Sequence, residues 1–307
     1  WFPSEAYTRG SHLERLMRAL EVPDYDTLYR LSIEQRERFW THTVDQLGFE
    51  WFEPYQAVVD ESEGRPWARW FVGGRLNLAH NALARHLPAR DSQAALIWEG
   101  EDGAVLRYTY RQLMTATIQA AGMLRQLGVG RGDRVGILLP MIPEAAIAAL
   151  ACAWIGAIFT PIFSGYGADA VATRLRDAEA KVLITADGYY RRGKVVPLKP
   201  TADQAAELAP TVDSILVVRR LGLDVAMHPP RDLAWDTAVP AQAADLPIDV
   251  MDSMDPFMIL HTSGTTGRPK GTVHYHAGFP VKASQDLAQL FDLREREVLF
   301  WFTDLGW

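Results

Sequence analysis

The chain has 307 residues, 48% of them hydrophobic, enough to bury one large core or two ordinary ones. Its 31 basic and 38 acidic residues leave a net charge of −7, so no basic excess favours nucleic acid as a partner. A single cysteine, Cys152, rules out an internal disulfide framework and suits a reducing, cytoplasmic compartment. No signal peptide is visible, and the longest apolar stretch, 145–163, is interrupted by Gly156 and Pro161, which argues against a membrane span.

The first ninety residues are rich in large rings, among them Trp1, Trp40, Trp51, Trp67 and Trp70, and show little alternation of strand and helix. A helix is predicted over 32–47 with Ser32 as its N-cap, and a second ends near His86. The region reads as an extension anchored on the main domain by its aromatic side chains. From residue 93 a regular α/β rhythm begins. Runs at 94–98 and 107–108 suit a hairpin across 100–103. Thr109, with Gln112 three residues on, forms a capping box. The helix it opens carries Leu113, Thr117, Ala120, Ala121, Leu124 and Leu127 on one face, and Gly128 closes it.

Strands at 134–139, 158–162, 181–185 and 214–219 then alternate with helices at 144–154, opened by Pro143, and at 169–178. That order predicts parallel strands covered by helices. Residues 221–250, rich in Pro and Asp, read as a loop. Strands at 257–262 and 272–276, a helix at 281–291 and a strand at 298–302 follow. The last is expected to be poorly ordered or to pack on other chain, because its sheet edge lacks partners. Three regions result: an extension over 1–90, a first α/β sheet region over 91–245, and the start of a second sheet region over 246–307.

Between two of these strands stand Thr262, Ser263, Gly264, Thr265, Thr266, Gly267, Arg268, Pro269, Lys270 and Gly271. Glycines let backbone N–H groups turn toward an anion, hydroxyls donate to its oxygens, and a lysine adds a mobile charge. An ordinary surface turn explains the glycines but not the four hydroxyls or the Pro-Lys-Gly ending. A Walker-type loop fails on spacing: proline precedes Lys270, and the flank continues as strand rather than helix. Elsewhere, Cys152 sits in an apolar helical run and reads as a core thiol. His274 and His276 alternate along one strand without a third ligand nearby, so they read as structural. Arg191, Arg192, Gly193 and Lys194 form a basic cluster whose plain reading is a solvated turn.

The run from Thr262 to Gly271 resembles the phosphate loop of the AMP-forming acyl-CoA synthetase, adenylation-domain and luciferase superfamily. Further segments resemble its acetyl-CoA synthetase-like members. They are Trp70-Phe71-Val72-Gly73-Gly74-Arg75-Leu76-Asn77, Leu139-Pro140-Met141-Ile142-Pro143-Glu144-Ala145-Ala146, Phe163-Ser164-Gly165-Tyr166, Thr185-Ala186-Asp187-Gly188, Pro197-Leu198-Lys199 and Thr303-Asp304-Leu305-Gly306-Trp307. The resemblance runs from about residue 30 to the end. It implies an α/β fold with parallel-rich sheets, the large N-terminal domain of the adenylate-forming enzymes.

It also implies a two-step ligase that uses ATP, Mg²⁺ and coenzyme A. A small carboxylate such as acetate or propionate becomes an acyl-adenylate, then a CoA thioester. Thr262, Ser263, Gly264, Thr265, Thr266, Gly267, Lys270 and Gly271 match the residues that hold ATP phosphates, with Lys270 and Thr266 in the catalytic roles. Arg191, Arg192, Gly193, Lys194 and Gly165 match contacts to coenzyme A, with Lys194 where arginine is usual. His276, Asp304 and Trp307 match positions bordering the nucleotide and acyl sites. The family's Tyr-Gly-x-Thr-Glu segment, with its Mg²⁺-binding Glu, and the C-terminal domain with the adenylation lysine fall beyond Trp307. These 307 residues alone are therefore expected to be inactive. Two readings compete: an adenylating enzyme with a carrier-protein acceptor, and a non-catalytic module binding nucleotide or CoA. A homo-oligomer stays open.

Overall fold

The run Arg-Val-Gly-Ile-Leu at Arg134–Leu138 and the run Val-Leu-Ile-Thr-Ala at Val182–Ala186 lack polar alternation, which marks strands covered on both faces. In the computed structural model, which describes residues 3–262 and 269–306, both lie inside a seven-stranded sheet. Its spatial order is Asp232–Ala234, Ser214–Val218, Val182–Ala186, Arg134–Leu138, Ile158–Pro161, Pro256–Thr262 and Lys270–Tyr275. The first six strands pair in parallel. Helices Pro143–Trp154, Ala168–Ala178 and Lys199–Glu207 make the crossovers that parallel pairing requires. Between sheet and helices lies one large core that includes Val135, Ile137, Leu183, Ile184, Leu216, Leu175 and Ala151.

The expected α/β class and most of its strands are therefore present. Thr109 caps Tyr110–Gln126 with the full reciprocal box to Gln112. The sheet direction of travel reverses beside Arg134–Leu138: the chain moves to Ile158–Pro161 on one side and then crosses to Val182–Ala186 on the other. In open α/β sheets such a reversal opens a crevice at the carboxyl ends of the strands, where ligands bind.

Several expectations are corrected. The strands flanking the Gly/Thr/Ser loop do not begin a second sheet. Met258 pairs with Phe159 in parallel, and the Phe159 and Phe257 rings meet edge to face at 5.8 Å, so these strands extend the first sheet. No strand forms at 298–302; Val298, Phe300 and Phe302 are exposed there. The 221–250 segment contains a short strand, Asp232–Ala234, and a helical turn, Trp235–Ala238, because Asp232 and Trp235 are buried. A hairpin of Gly188–Arg191 and Lys194–Pro197 occupies what reads in sequence as a turn.

The helix expected over 32–47 is two helices, Tyr25–Glu34 and Arg36–Leu47, broken at Gln35. Asp24 rather than Ser32 supplies the cap, and the Ser32 hydroxyl donates to the Tyr29 carbonyl within the first helix. The helix expected over 281–291 starts earlier, as Gly278–Gln285, and continues as a π-helical turn, Asp286–Leu290. The strand after the loop ends at Tyr275, one residue before the buried His276.

The described residues fall into two compact units, one made of the chain up to Leu76 with 251–254 and 275–301, the other of 77–250, 255–274 and 302–306. The first has a helical core of Leu16, Leu20, Leu28, Leu31 and Phe39. Beside it, the Trp51, Tyr55 and Phe71 rings pack with centroids 5.1 to 5.5 Å apart. Its boundary falls at Leu76 rather than 90 because Asn77 is built into the second unit. Its side-chain amide donates to the carbonyls of Ala153 at 2.7 Å and Asp249 at 2.9 Å. No helix among the described residues is long and apolar enough to cross a membrane.

Candidate functional site

The candidate residues leave the sheet at one edge. Ile158–Pro161 runs on into Phe163, Ser164 and Gly165; Val182–Ala186 runs on into Asp187 and the hairpin; Pro256–Thr262 ends at Thr262, where the Gly/Thr/Ser loop starts. All three are carboxyl ends of mutually parallel strands, the edge at which such sheets bind ligands.

Gly165 and Arg191 meet there. A Cβ on Gly165 would stand 2.6 Å from Phe163 Cε1 and 2.8 Å from Arg191 Nη1, so any larger residue here would press on both side chains. The Arg191 guanidinium also lies 5.5 Å from the centre of the Phe163 ring. Ser164 donates to Asp304 at 2.8 Å, and the Tyr189 hydroxyl donates to the Ser164 carbonyl at 3.2 Å. Arg191, Arg192, Gly193 and Lys194 are all exposed. Arg192 (φ 53°) and Gly193 (φ 72°) form the hairpin tip, the paired left-handed geometry of a tight two-residue turn.

Sequence reasoning missed the groups that hold this corner. Asp187 is fully buried, and its carboxylate accepts N–H groups from Gly188 at 2.7 Å, Arg220 at 2.9 Å, Leu221 at 3.1 Å and Leu223 at 2.9 Å. It thereby fixes the start of the hairpin and the loop after Ser214–Val218. Glu101 accepts the N–H groups of Arg192 and Gly193. The neighbouring Asp102 is held below its ordinary carboxyl range chiefly by the hydrogen bond from Arg220. Asp187 stands in the Thr185-Ala186-Asp187-Gly188 segment, without a role read from it; for Glu101 and Asp102 the sequence signal is an acidic pair in the turn between two strands.

At the other loop, Thr262, Lys270 and Gly271 are described, whereas Ser263, Gly264, Thr265, Thr266 and Gly267 lie outside the described residues. The Thr262 hydroxyl donates to the Lys270 carbonyl at 3.5 Å, and Thr272 donates to that of Leu260 at 2.7 Å, tying the two strands at the mouth of the loop. Lys270 is exposed. Beneath, His261 is buried between Asp177 (2.9 Å) and Thr160 (3.3 Å), a further pairing that sequence did not reveal. A Cβ on Gly271 would stand 2.8 Å from Ile259 Cγ2. His274 on the next strand is half-buried, and burial holds its imidazole below the ordinary value.

A magnesium ion finds no ready place among the described residues. Asp203, His228 and Asp232 are the one group of three potential ligands close enough together. Lys199 already fills the space with bonds of 2.6 Å to Asp203 and 2.7 Å to Asp232, and Arg231 pairs with both carboxylates. The cluster is an ion-pair network centred on the buried Lys199 and Asp232 and does not fit a cation.

A largely parallel sheet carries a Gly/Thr/Ser-rich loop and a basic hairpin at the carboxyl ends of its strands, and comparison with known proteins gives the class. The model of the AMP-binding enzyme family matches residues 83–307, and the chain belongs to that family. A model of the acetyl-coenzyme A synthetase N-terminus matches residues 25–82.

Among curated relatives, acetyl-coenzyme A synthetase from Deinococcus radiodurans is 42% identical over 307 residues, covering 99% of this chain and 46% of the relative. The enzyme of that name from Methanothrix thermoacetophila is 45% identical over 271 residues, covering 88% of this chain and 41% of the relative. In structure, the chain is similar to acetoacetyl-CoA synthetase from Streptomyces lividans with a TM-score of 0.92 at 31% identity, covering 100% of this chain and 48% of that one. The chain spans a little under half the length of the relatives it matches.

Proposed function

We propose that the chain acts as part of an AMP-forming acyl-CoA synthetase that activates a short-chain carboxylate such as acetate or propionate. One observation carries the reading: the loop mouth at Thr262 and Lys270 and the Gly165–Arg191 corner open from the same edge of one parallel sheet. A reaction that joins a carboxylate to a nucleotide and then to a thiol needs both ligands on one side of the scaffold. The names of the relatives support acetate or a small acid like it.

In the first step a carboxylate oxygen attacks the α-phosphorus of ATP, and pyrophosphate leaves. Charge gathers on the phosphate oxygens; a Mg²⁺ ion arriving with ATP would supply part of the neutralisation, and this chain's own share falls to the loop. In our assignment the loop from Thr262 to Gly271 surrounds the β- and γ-phosphates. Lys270 holds them by charge rather than acting as a base, because phosphates favour its protonated form. In the second step the thiol sulfur of coenzyme A attacks the acyl carbon, and AMP leaves. Arg191, Arg192 and Lys194 take the diphosphate and 3′-phosphate of coenzyme A, with Arg191 seated against Gly165.

Titration calorimetry with ATP and with CoA, beside assays of carboxylate-dependent ATP–pyrophosphate exchange and of thioester formation, tests the reading. Binding of both ligands at separable sites supports it. Failure to bind either refutes it. Binding with no exchange by these 307 residues alone is the expected result, and an exchange signal overturns that part of the proposal.

A further inference from the structure

Glu101 lies on the loop between the strands Ala94–Glu99 and Val105–Thr109. Each of its carboxylate oxygens accepts one backbone N–H: Oε1 from Arg192 at 3.0 Å and Oε2 from Gly193 at 2.9 Å. Successive residues in left-handed backbone turn their N–H groups the same way, which makes a nest for an anion. Here the anion is the chain's own carboxylate.

The loop that carries Glu101 is itself fixed. Asp102 accepts Arg220 at 2.8 Å, and the Arg220 guanidinium lies 4.7 Å from the centre of the Trp98 ring. The backbone N–H of Arg220 donates to Asp187, the carboxylate that also accepts the N–H of Gly188, the first residue of the hairpin. Foot and tip of the hairpin are thus tied to one frame. Glu101, Arg192 and Gly193 are all exposed, so their hydrogen bonds compete with water and add little to folding stability. What they supply is direction: they set where Arg191 stands against Gly165 and Phe163.

We propose that Glu101 is a positioning residue, holding the Arg191-to-Lys194 turn in the orientation that receives the phosphates of coenzyme A. The inference rests on reading that turn as the CoA contact. It makes a prediction of definite sign. Among the described residues no carboxylate side chain pairs with the side chains of Arg191, Arg192 or Lys194. If Glu101 were merely one negative charge beside three positive ones, removing it would strengthen binding of a polyanion.

The test is Glu101→Gln, which keeps the size, removes the charge and leaves one oxygen for two N–H donors. The chain's affinities for CoA and for ATP are measured together with amide exchange across 188–197. The expected result is a CoA Kd raised about five- to tenfold, ATP affinity changed by less than about twofold, and faster exchange at Arg192 and Gly193. Tighter or unchanged CoA binding overturns the proposal. Arg191→Ala in parallel separates the two readings. If it weakens CoA binding and Glu101→Gln does not, only the Glu101 inference falls. If it leaves CoA binding unchanged, the CoA reading of the turn falls, and unchanged exchange at the tip then removes the tether as well.

Discussion

Nη1 of Arg191 lies 2.8 Å from where a Cβ on Gly165 would stand. With the guanidinium where it stands, a methyl group on Gly165 would push it aside. The contact joins the segment after Ile158–Pro161 to the end of the hairpin strand Gly188–Arg191, so it measures how well the corner is assembled.

Gly165→Ala therefore displaces Arg191 from the turn over Phe163. Because a hydrogen bond to a charged group contributes about 1.5–3 kcal/mol, CoA affinity is expected to fall about tenfold or more. ATP affinity, which depends on a different loop, should hold. Calorimetry with both ligands checks this, and equal loss for the two would mean that the substitution disturbed the whole sheet edge.

Asn77 joins the start of Leu78–Ala82 to the end of Pro143–Trp154 and to Asp249. Its Oδ1 also accepts the N–H of Ala79 at 2.8 Å. Asn77→Ala leaves the Asp249 carbonyl and the Ala79 N–H without partners, while the Ala153 carbonyl keeps the N–H of Gly156, and should destabilise the fold by about 1–3 kcal/mol. Asn77→Asp keeps the cap but turns a carboxylate toward two carbonyl oxygens, so it should be no better. Thermal melts of both variants decide the point; a neutral Asn77→Asp would mean that only the cap matters.

Much of this was legible in the sequence. Unbroken apolar runs, the Thr109–Gln112 box and the Pro143 helix start fixed most of the central α/β sheet, because each is a local pattern with a local cause. The glycines and hydroxyls around Lys270 and the cluster at Arg191 marked candidate sites for the same reason. Long-range pairing was not legible. Glu101 meets Gly193 across 92 positions and His261 meets Asp177 across 84, and no periodicity encodes either contact. The join of Pro256–Thr262 to the first sheet likewise depends on Phe257 finding Phe159. The hairpin at 188–197 was missed because a charged tip reads as a turn, while its register is set by the feet at Gly188 and Pro197.

Cys152 is fully buried in Pro143–Trp154, and burial pushes its thiol well above the ordinary range. As the chain's single cysteine it should resist alkylation in the native state and take up one label after unfolding. Mass measurement after iodoacetamide treatment, with and without urea, checks this. Rapid labelling of the folded protein would contradict the packing of that helix.

Asp232 gives a pH dependence of definite sign. Burial by itself raises its carboxyl, but hydrogen bonds from Arg231, Lys199 and the His228 N–H outweigh that and hold it at about 2, below the ordinary 3.8. A depressed folded value means that the carboxylate stabilises the fold fully above about pH 4, and that this contribution drains away as pH falls through about 2. A shift of this size is worth about 2 kcal/mol. Asp232→Asn removes one partner of a buried pair, leaving Lys199 short of charge, and should cost about 3–5 kcal/mol at pH 7. Its urea midpoint should then vary less than that of the parent between pH 4 and pH 2, because one of the groups that titrate there is gone. Parallel midpoints for the two proteins across that window would show that other carboxylates govern acid unfolding.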